Sequence, residues 1–378
     1  MNRRRLATLT ASHLVDDLYQ GAVPALVALM VLTRGYSYTA ATGLTLAATV
    51  LSSVAQPAFG LLTDRRPMRW LLPTGLALAG IGIGLSGTSE DYALTWAAVA
   101  LSGLGVAAYH PEASRAARSA SGGTATGMSW FALGGNIGFA LGPAATTAVL
   151  LATGLGGTPL LAVPAVVAAA VLAFGRTAPW ARSSAPAERV GTSRWRPFLW
   201  LTGAVIARSV VFFGASSLIA LYLRQRFGAD PATASGALTV LLGVGAAATL
   251  VGGRLADRLG RVRTIRAGHA LAVPALVGLV AAPSLPLAFL ATALLGIALY
   301  VPFSVQVTLG QDYLPDRVGT ASGVTLGLAV SAGGLLAPAL GALADHTDLG
   351  TALAVLTVAP VAALLVSTRL PEPERVSR

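Results

Sequence analysis

Cysteine and lysine are both missing from this 378-residue chain, and charged residues of any kind make up only 11% of it. Without cysteine the chain has no disulfide, no thiol chemistry and no cysteine-based metal site. Charge this sparse is far below the roughly 25% that is usual for soluble domains. Hydrophobic residues, in contrast, reach 54%, and mean hydropathy is +0.71. The composition therefore excludes an ordinary soluble domain and predicts an integral membrane protein.

Arginine supplies all 26 basic residues and gives the chain a net charge of +11. A nucleic-acid-binding domain gathers such charge into a patch or a stripe. Here the arginines lie in short connections between apolar runs. We therefore expect no nucleic-acid partner and interpret the arginines as signals of membrane topology.

Twelve apolar runs of about 20 residues are each long enough to cross a bilayer as a helix. They cover residues 6–33, 40–62, 71–88, 92–114, 124–151, 159–175, 197–223, 232–253, 264–282, 287–311, 320–343 and 349–367. With the N-terminus placed inside, 22 arginines fall in inside segments and three in outside loops. Because positive residues are retained on the cytoplasmic side, we predict an all-α membrane protein of twelve spans with both termini in the cytoplasm.

A charged motif occurs twice, and it indicates an internal duplication. Gly60 is followed four residues later by Asp64 and then by an arginine, and Gly253 is followed in the same way by Asp257. The two copies are 193 residues apart, about half the chain. A repeat at this period predicts two similar halves.

We therefore divide the chain into two pseudo-symmetric six-helix halves. The N-terminal half covers residues 1–175 and the C-terminal half covers residues 197–378. The polar stretch between them, residues 176–196, contains five arginines together with serine and proline, and it is predicted to be a cytoplasmic linker.

The repeated motif has two interpretations. It could be a topology signal combined with a helix cap, since an aspartate at the first turn of the next helix interacts with that helix's free N–H groups and dipole. It could also be a latch that stabilises one conformation of a moving protein. The duplication favours the latch, and the predicted gating residues are Gly60, Asp64, Arg65, Gly253, Asp257 and Arg258.

Several stretches carry a resemblance to a known family. The two charged loops resemble the loop signature of the major facilitator superfamily, and the chain is closer still to the fosmidomycin resistance protein family of bacterial efflux pumps. The matching stretches are His13–Asp17, Gln56-Pro57 with Thr63-Asp64, Tyr109–Glu112, Gly135-Asn136, Leu314-Pro315 and Ala344–Thr347. The resemblance implies the major facilitator fold, a place in the bacterial inner membrane, and transport by alternating access.

One departure from the superfamily concerns proton coupling. Many proton-coupled members carry an arginine four residues before the glycine that corresponds to Gly103, and this chain has Val99 there. The resemblance therefore implies that any coupling proton binds elsewhere.

The first predicted span offers such a site. Asp17 lies roughly 16 Å inside the inner surface, near the membrane midplane, and shares one helix face with His13 and Gln20 by its spacing. Acids at this depth are costly and mark functional sites, although an acid tied to a neighbouring helix is the structural alternative. We predict that Asp17 carries the proton, with Asp16 as the next choice.

Arg208 lies at a similar depth in the seventh span, which is the equivalent of the first span in the other half. The simplest arrangement is an acid–arginine pair across a central cavity. Such a pair could be purely structural, or an anionic substrate group could replace the acid. Both alternatives stay open at this point.

The fourth span ends with His110-Pro111-Glu112. Glu112 precedes Arg115 by three residues, so a local ion pair is one interpretation, and the family resemblance favours a role in proton coupling as the other. The predicted substrate-binding residues are His13, Gln20, Arg208, His110 and Asn136.

Together with the buried charges, the resemblance implies a proton-coupled exporter of a small polar or anionic drug or metabolite. An importer or facilitator of a small solute, such as a sugar or an organic anion, is the alternative, because fold does not fix direction or substrate. A membrane enzyme would need a nucleophile or a metal cluster, and the sequence has neither cysteine nor closely spaced histidines. We expect a monomer in the lipid bilayer, with protons and a small molecule as ligands and with no cofactor or metal.

Overall fold

The structure is a computed structural model that describes residues 1–36, 38–66, 68–174 and 192–373. Throughout these ranges the chain is helical, and they contain no β-strand. This confirms the predicted all-α class.

Seven helices are described before residue 175. They are α1 (Arg3–Arg34), α2 (Tyr38–Arg65), α3 (Leu71–Leu85), α4 (Tyr92–Ser121), α5 (Ala125–Thr153), α6 (Thr158–Leu161) and α7 (Val163–Phe174). Local sequence sets several of their ends. Asp91 begins α4 by accepting a hydrogen bond from the Leu94 amide at 3.0 Å, and Gly122 ends it with a φ of 67°, a left-handed conformation that glycine adopts without strain.

The remaining helices follow residue 192. They are α8 (Trp195–Phe227), α9 (Pro231–Leu259), α10 (Arg261–Ala281), α11 (Leu285–Tyr300), α12 (Phe303–Tyr313), α13 (Val318–Ser322), α14 (Ala329–Gly334), α15 (Ala337–His346), α16 (Leu349–Val355) and α17 (Val358–Ser367). A π-helical segment, Gly323–Leu328, joins α13 to α14.

Ten helices in the described ranges are long and apolar enough to cross a membrane. Two shorter apolar helices, Leu71–Leu85 and Val318–Leu328, lie at the third and eleventh predicted spans. The eleventh run, predicted from residue 320 to 343, is not one continuous α-helix. It passes through the π-helical segment and breaks at Leu335 before α15 begins.

Proline explains a similar break in the tenth run. The helix is interrupted at Val301 and Pro302, between α11 and α12. A proline inside a helix removes one backbone hydrogen bond and crowds the preceding turn. In a membrane such breaks are tolerated where neighbouring helices surround the backbone, and Pro302 is buried.

The chain forms two compact units. Unit 1 contains most of the first half of the sequence together with Pro315–Leu328, and unit 2 contains most of the second half together with Thr124–Ser129. Most of the predicted linker, residues 175–191, lies outside the described residues. Each unit therefore contains one short segment from the other half of the sequence.

A row of glycines brings α5 against α1 in unit 1. Gly134, Gly138 and Gly142 recur every four residues and so share one face of α5. A Cβ atom on Gly138 would lie 2.0 Å from the carbonyl oxygen of Leu14, and the other two glycines meet carbonyl oxygens of α1 in the same way, at 2.2 Å and 2.4 Å. Small residues at this spacing allow membrane helices to approach closely. The row thereby fixes the polar side chains of α1 next to α5.

Candidate functional site

Two histidines and an aspartate meet inside unit 1. Nε2 of His13 lies 3.3 Å from Oδ2 of Asp17, and Nε2 of His110 lies 3.1 Å from Oδ1 of the same carboxylate. The two Nε2 atoms are 3.3 Å apart. We call these three residues the His–Asp cluster. The cluster connects α1, which carries His13 and Asp17 on neighbouring turns, to α4, which carries His110.

Main-chain carbonyl groups determine which ring nitrogen carries hydrogen. Nδ1 of His13 lies 2.8 Å from the carbonyl oxygen of Phe131, and Nδ1 of His110 lies 3.0 Å from that of Val106. A carbonyl oxygen only accepts hydrogen bonds, so both Nδ1 atoms carry hydrogen. When neutral, each ring therefore presents the lone pair of Nε2 toward Asp17.

The protonation of the cluster follows from this arrangement. With no further proton, two lone pairs and one carboxylate face each other with no donor among the three residues, which is costly in a buried site. One added proton makes the cluster neutral and supplies a donor at the centre. The geometry therefore favours a cluster that holds one proton, and release of that proton leaves three acceptors facing each other.

The ring of His13 is held firmly. It stacks on the ring of Phe131 with the centroids 4.1 Å apart and the planes 13° apart. A Cβ atom at Gly135, one turn further along α5, would lie 2.6 Å from Cε1 of His13 and 2.3 Å from Oδ2 of Asp17. Glycine at 135 is thus required for α5 to lie against the cluster.

Asp16 differs sharply from Asp17. Its side chain is fully buried, whereas that of Asp17 is 16% exposed. Oδ2 of Asp16 lies 3.3 Å from Nδ1 of His110, but neither of its oxygens has a hydrogen-bond partner. The short distance is not a hydrogen bond because the hydrogen on Nδ1 of His110 points to the carbonyl oxygen of Val106. Asp16 is therefore a buried carboxyl group close to an imidazole that does not donate to it.

His13, Asp17 and Gln20 lie together as their spacing indicates, and Nε2 of Gln20 donates to Oδ1 of Asp17 at 3.3 Å. Asn136 is half-buried on α5, directly after Gly135. Sequence spacing does not predict that His110 contacts Asp17. A tyrosine hydroxyl was missed as well, that of Tyr109, which lies 2.6 Å from Ser12 Oγ.

Histidine and carboxylate side chains also bind metals. Among the described residues the His–Asp cluster is a group whose ligand atoms, all within 4.8 Å of one another, are close enough for an ion. The two oxygens of Asp17, however, face different rings. Each oxygen thus faces one Nε2 atom, so a single proton can be held between Asp17 and either ring.

Glu112 lies on α4, two residues beyond His110, but it has a different partner. Its carboxylate accepts from Nη2 of Arg115 at 2.7 Å and 2.5 Å, and Nη1 of Arg115 donates to the Thr63 carbonyl at 3.2 Å. This is the local ion pair that was one of the two interpretations of the sequence, although Glu112 is buried.

Arg208 forms the polar centre of unit 2. Its side chain is buried, with 5% exposed. Nε donates to Oε1 of Gln306 at 2.9 Å, and the guanidinium carbon lies 4.9 Å from the centre of the Phe303 ring. Gln306 is oriented in turn, since its Nε2 lies 3.3 Å from Nε2 of His269. Within the described part of unit 2, no carboxylate forms an ion pair with Arg208.

The first copy of the charged motif caps a helix. Asp64 accepts hydrogen bonds from the amides of Gly319 and Thr320 and from the Thr320 hydroxyl, each at 2.7 Å. All three residues belong to unit 1. A Cβ atom on Gly60 would lie 2.3 Å from the Gly319 carbonyl oxygen. The glycine thus permits the close approach that the aspartate needs to cap α13.

The second copy does the same in unit 2. Asp257 accepts from the amides of Ala125 and Thr126, both at 2.8 Å, and so caps the beginning of α5. A Cβ atom on Gly253 would lie 2.8 Å from the Ala125 carbonyl oxygen. The side chains of Arg65 and Arg258 are exposed. The cap expected from the sequence was at the first turn of the next helix in the chain. In the structure, each aspartate lies near the C-terminal end of its own helix and caps a helix that is distant in sequence.

Known proteins resemble this chain in sequence and in fold. A family model described as Major Facilitator Superfamily matches residues 9–338. The Fosmidomycin resistance protein of Escherichia coli (strain K12) is 30% identical over 372 residues, which cover 95% of this chain and 91% of that protein. The Uncharacterized MFS-type transporter YfnC of Bacillus subtilis (strain 168) is also 30% identical, over 93% of this chain and 89% of its own.

Solved structures show the same architecture. The fucose:proton symporter FucP of E. coli superimposes with a TM-score of 0.76 at 13% identity, covering 97% of this chain and 98% of that one. The human organic anion transporter MFSD10 (TETRAN) gives a TM-score of 0.75 at 17% identity, covering 97% and 99%. At these identities the likeness concerns the fold.

Proposed function

Because this chain belongs to the major facilitator superfamily and is a multi-pass membrane transporter, we propose that it exports a small polar or anionic drug or metabolite in exchange for protons. A relative at 30% identity is a fosmidomycin resistance protein, and export of a toxic compound is a direct route to resistance. We place the protein in the bacterial inner membrane as a monomer, and the arginine distribution supports twelve spans with cytoplasmic termini.

The observation that carries this proposal is the buried His–Asp cluster. Ionisable residues inside membrane-spanning helices are costly and usually functional. The cluster gains a donor when it binds one proton and loses that donor when it releases it, so its stability depends on proton occupancy. A transporter that alternates between two conformations can use this dependence to couple proton flow to substrate movement.

The sequence predicts that His13, Gln20 and His110 bind substrate. Because all three contact Asp17, we assign them to the proton site instead. Asn136 is retained as a substrate contact. Glu112 remains a weaker candidate for coupling, since it is already paired with Arg115.

Arg208 is the proposed contact for an anionic group of the substrate. Its Nη1 and Nη2 atoms form no hydrogen bond within the described part of unit 2, although the side chain is buried. A planar guanidinium with free N–H groups matches a carboxylate or a phosphonate in a bidentate arrangement. The hydrogen bond to Gln306 and the Phe303 ring hold the guanidinium in place.

Alternating access needs contacts that are made in one conformation and broken in another. We propose that the helix caps of Asp64 and Asp257 are such contacts, with Gly60 and Gly253 allowing the approach and Arg65 and Arg258 adding positive charge nearby. A cap of this kind contributes about 1 kcal/mol, which is small enough to be broken in each transport cycle.

Replacement of Asp17 tests the proposal. In membrane vesicles with an imposed pH gradient, Asp17→Asn should abolish proton-driven transport while the protein is present at normal levels. Asp345→Asn is a matched control, because Asp345 is exposed. Wild-type transport by the Asp17 variant would refute coupling at this site. Comparing inverted with right-side-out vesicles determines direction, and net uptake into the cell would favour the importer or facilitator.

A further inference from the structure

The position of His110 between two acids has a consequence beyond a single proton carrier. Its Nε2 lies 3.1 Å from Asp17 and its Nδ1 lies 3.3 Å from Asp16. An imidazole can accept a proton on one nitrogen and give up a different proton from the other. Building on the proposed proton-coupled transport, we propose that His110 is a relay that moves a proton between Asp17, the accessible acid, and Asp16, a buried store.

The difference in exposure gives the relay its direction. Asp17 is partly exposed and accepts from Gln20, and it faces two histidines. Asp16 is fully buried, and no group donates to its oxygens. A buried carboxylate without a donor is much less stable than its neutral acid. Asp16 therefore takes up a proton whenever one is delivered.

Other titratable groups near Asp16 do not replace His110. The Tyr109 hydroxyl on α4 is within hydrogen-bond distance of Ser12, and the Tyr19 hydroxyl on α1 donates to the Leu161 carbonyl at 2.8 Å. α5 contributes the Phe131 carbonyl and Gly135 to this region, neither of which titrates. His13 faces Asp17. Among the described residues, His110 is thus the imidazole that lies beside both acids.

The proton passes from Asp17 to Asp16 in two steps through His110. A proton on Oδ1 of Asp17 moves to Nε2 of His110, and the ring briefly carries hydrogen on both nitrogens. The hydrogen on Nδ1 then leaves the Val106 carbonyl and moves to Oδ2 of Asp16. Asp17 ends as a carboxylate, Asp16 as a neutral acid, and His110 as a neutral ring with its hydrogen on Nε2. That N–H donates to Asp17, and the reverse sequence returns the proton.

The relay therefore changes the tautomer of His110, which nuclear magnetic resonance of ¹⁵N-labelled histidine measures directly. The chain has four histidines, so single His→Gln variants assign the signals. In the wild type in lipid bilayers, His110 should carry its hydrogen on Nδ1 at alkaline pH and on Nε2 at acidic pH. His13 should keep its hydrogen on Nδ1 throughout.

Asp16→Asn removes the store and nearly preserves the shape of the side chain. In this variant the hydrogen of His110 should no longer move completely from Nδ1 to Nε2, and in acid the ring should carry hydrogen on both nitrogens. The Asp345→Asn control should behave like the wild type. A wild-type His110 that keeps Nδ1–H at both pH values would overturn the relay, as would an unchanged switch in Asp16→Asn. The measurement needs no substrate. If the tautomer switches and Asp17→Asn nonetheless transports normally, the relay stands and the proposed function fails.

Discussion

The polar centres of the two units differ, although the units share a common plan. Unit 1 has acids and histidines at the meeting of α1 and α4, and unit 2 has Arg208 on α8 with Phe303 and Gln306 on α12. At the 193-residue repeat offset, His110 corresponds to Phe303. His110 contacts Asp17 through its Nε2 atom, and Phe303 contacts Arg208 through the face of its ring.

Backbone contacts, in contrast, are retained. A Cβ atom on Gly103 would lie 2.6 Å from the carbonyl oxygen of Ala48, and one on Gly296 would lie 2.5 Å from that of Leu241. Both pairs are related by the same offset of 193 residues. Positions 193 residues apart therefore show the same close helix packing, while the buried polar side chains of the two units carry opposite charge.

The largest effect is expected at the centre of unit 2. Arg208→Gln removes two N–H groups that would bind an anion, each worth about 1.5–3 kcal/mol, so affinity for anionic ligands should fall at least about 100-fold. Affinity for neutral analogues should change little. Binding of matched carboxylate, phosphonate and amide compounds to purified protein measures this.

Two controls accompany this prediction. Arg224→Gln removes an exposed arginine from the last turn of the same helix, and it should leave affinity unchanged. Repeating Arg208→Gln in an Asp17→Asn background removes the acid that could pair with it. Retained anion affinity in the double variant would show that Arg208 is a counter-ion and not a ligand contact.

Packing of unit 1 should be the next most sensitive feature. Gly138→Ala forces a Cβ atom against the Leu14 carbonyl oxygen, and overpacking of this kind costs about 1–3 kcal/mol. The matched change, Gly203→Ala in α8, meets no atom within 4 Å and should be neutral. Thermal unfolding in detergent compares the two, and equal midpoints would contradict the requirement for glycine at position 138.

The two helix caps offer a smaller and more direct comparison. Asp64 accepts three hydrogen bonds and Asp257 accepts two. Loss of a cap costs about 0.5–2 kcal/mol, so Asp64→Ala should lie nearer the upper end and Asp257→Ala nearer the lower. Hydrogen exchange of the amides at 319–320 and at 125–126 reports each cap separately. Equal protection in the variants and the wild type would leave the motif as a topology signal alone.

Removal of metal ions should have the smallest effect. If the His–Asp cluster binds a proton, transport in vesicles should be unchanged after treatment with a chelator. A loss of transport that added Zn²⁺ restores in the wild type, but not in Asp17→Asn, would assign the cluster to a metal.

Sequence reasoning predicted the features that depend on local spacing. Helical periodicity placed His13 and Gln20 beside Asp17, and the duplicated motif identified the capping aspartates. It could not identify what those aspartates cap, because Asp64 and Thr320 are 256 residues apart in sequence. The same limit applies to His110 and Asp17, since the distance between them depends on how α4 packs against α1.

Arg208 illustrates a different limit. Its depth in the membrane was evident from the sequence, and an acid was the expected partner. The partner observed in its own unit is an amide, Gln306, which in turn contacts His269. Neutral hydrogen-bonding residues carry no charge signal, so a single sequence offers no reason to select them from among other polar residues in apolar runs. His269, a histidine inside an apolar run, was the sequence feature that could have indicated a polar group near Arg208.

The carbonyl groups of Val106 and Phe131 have a consequence for how this protein tolerates mutation. Because these acceptors belong to the main chain, exchanging the side chain at position 106 for another apolar one leaves the acceptor of the His110 hydrogen in place. Apolar substitutions at position 106 can therefore accumulate without altering which ring nitrogen of His110 carries hydrogen.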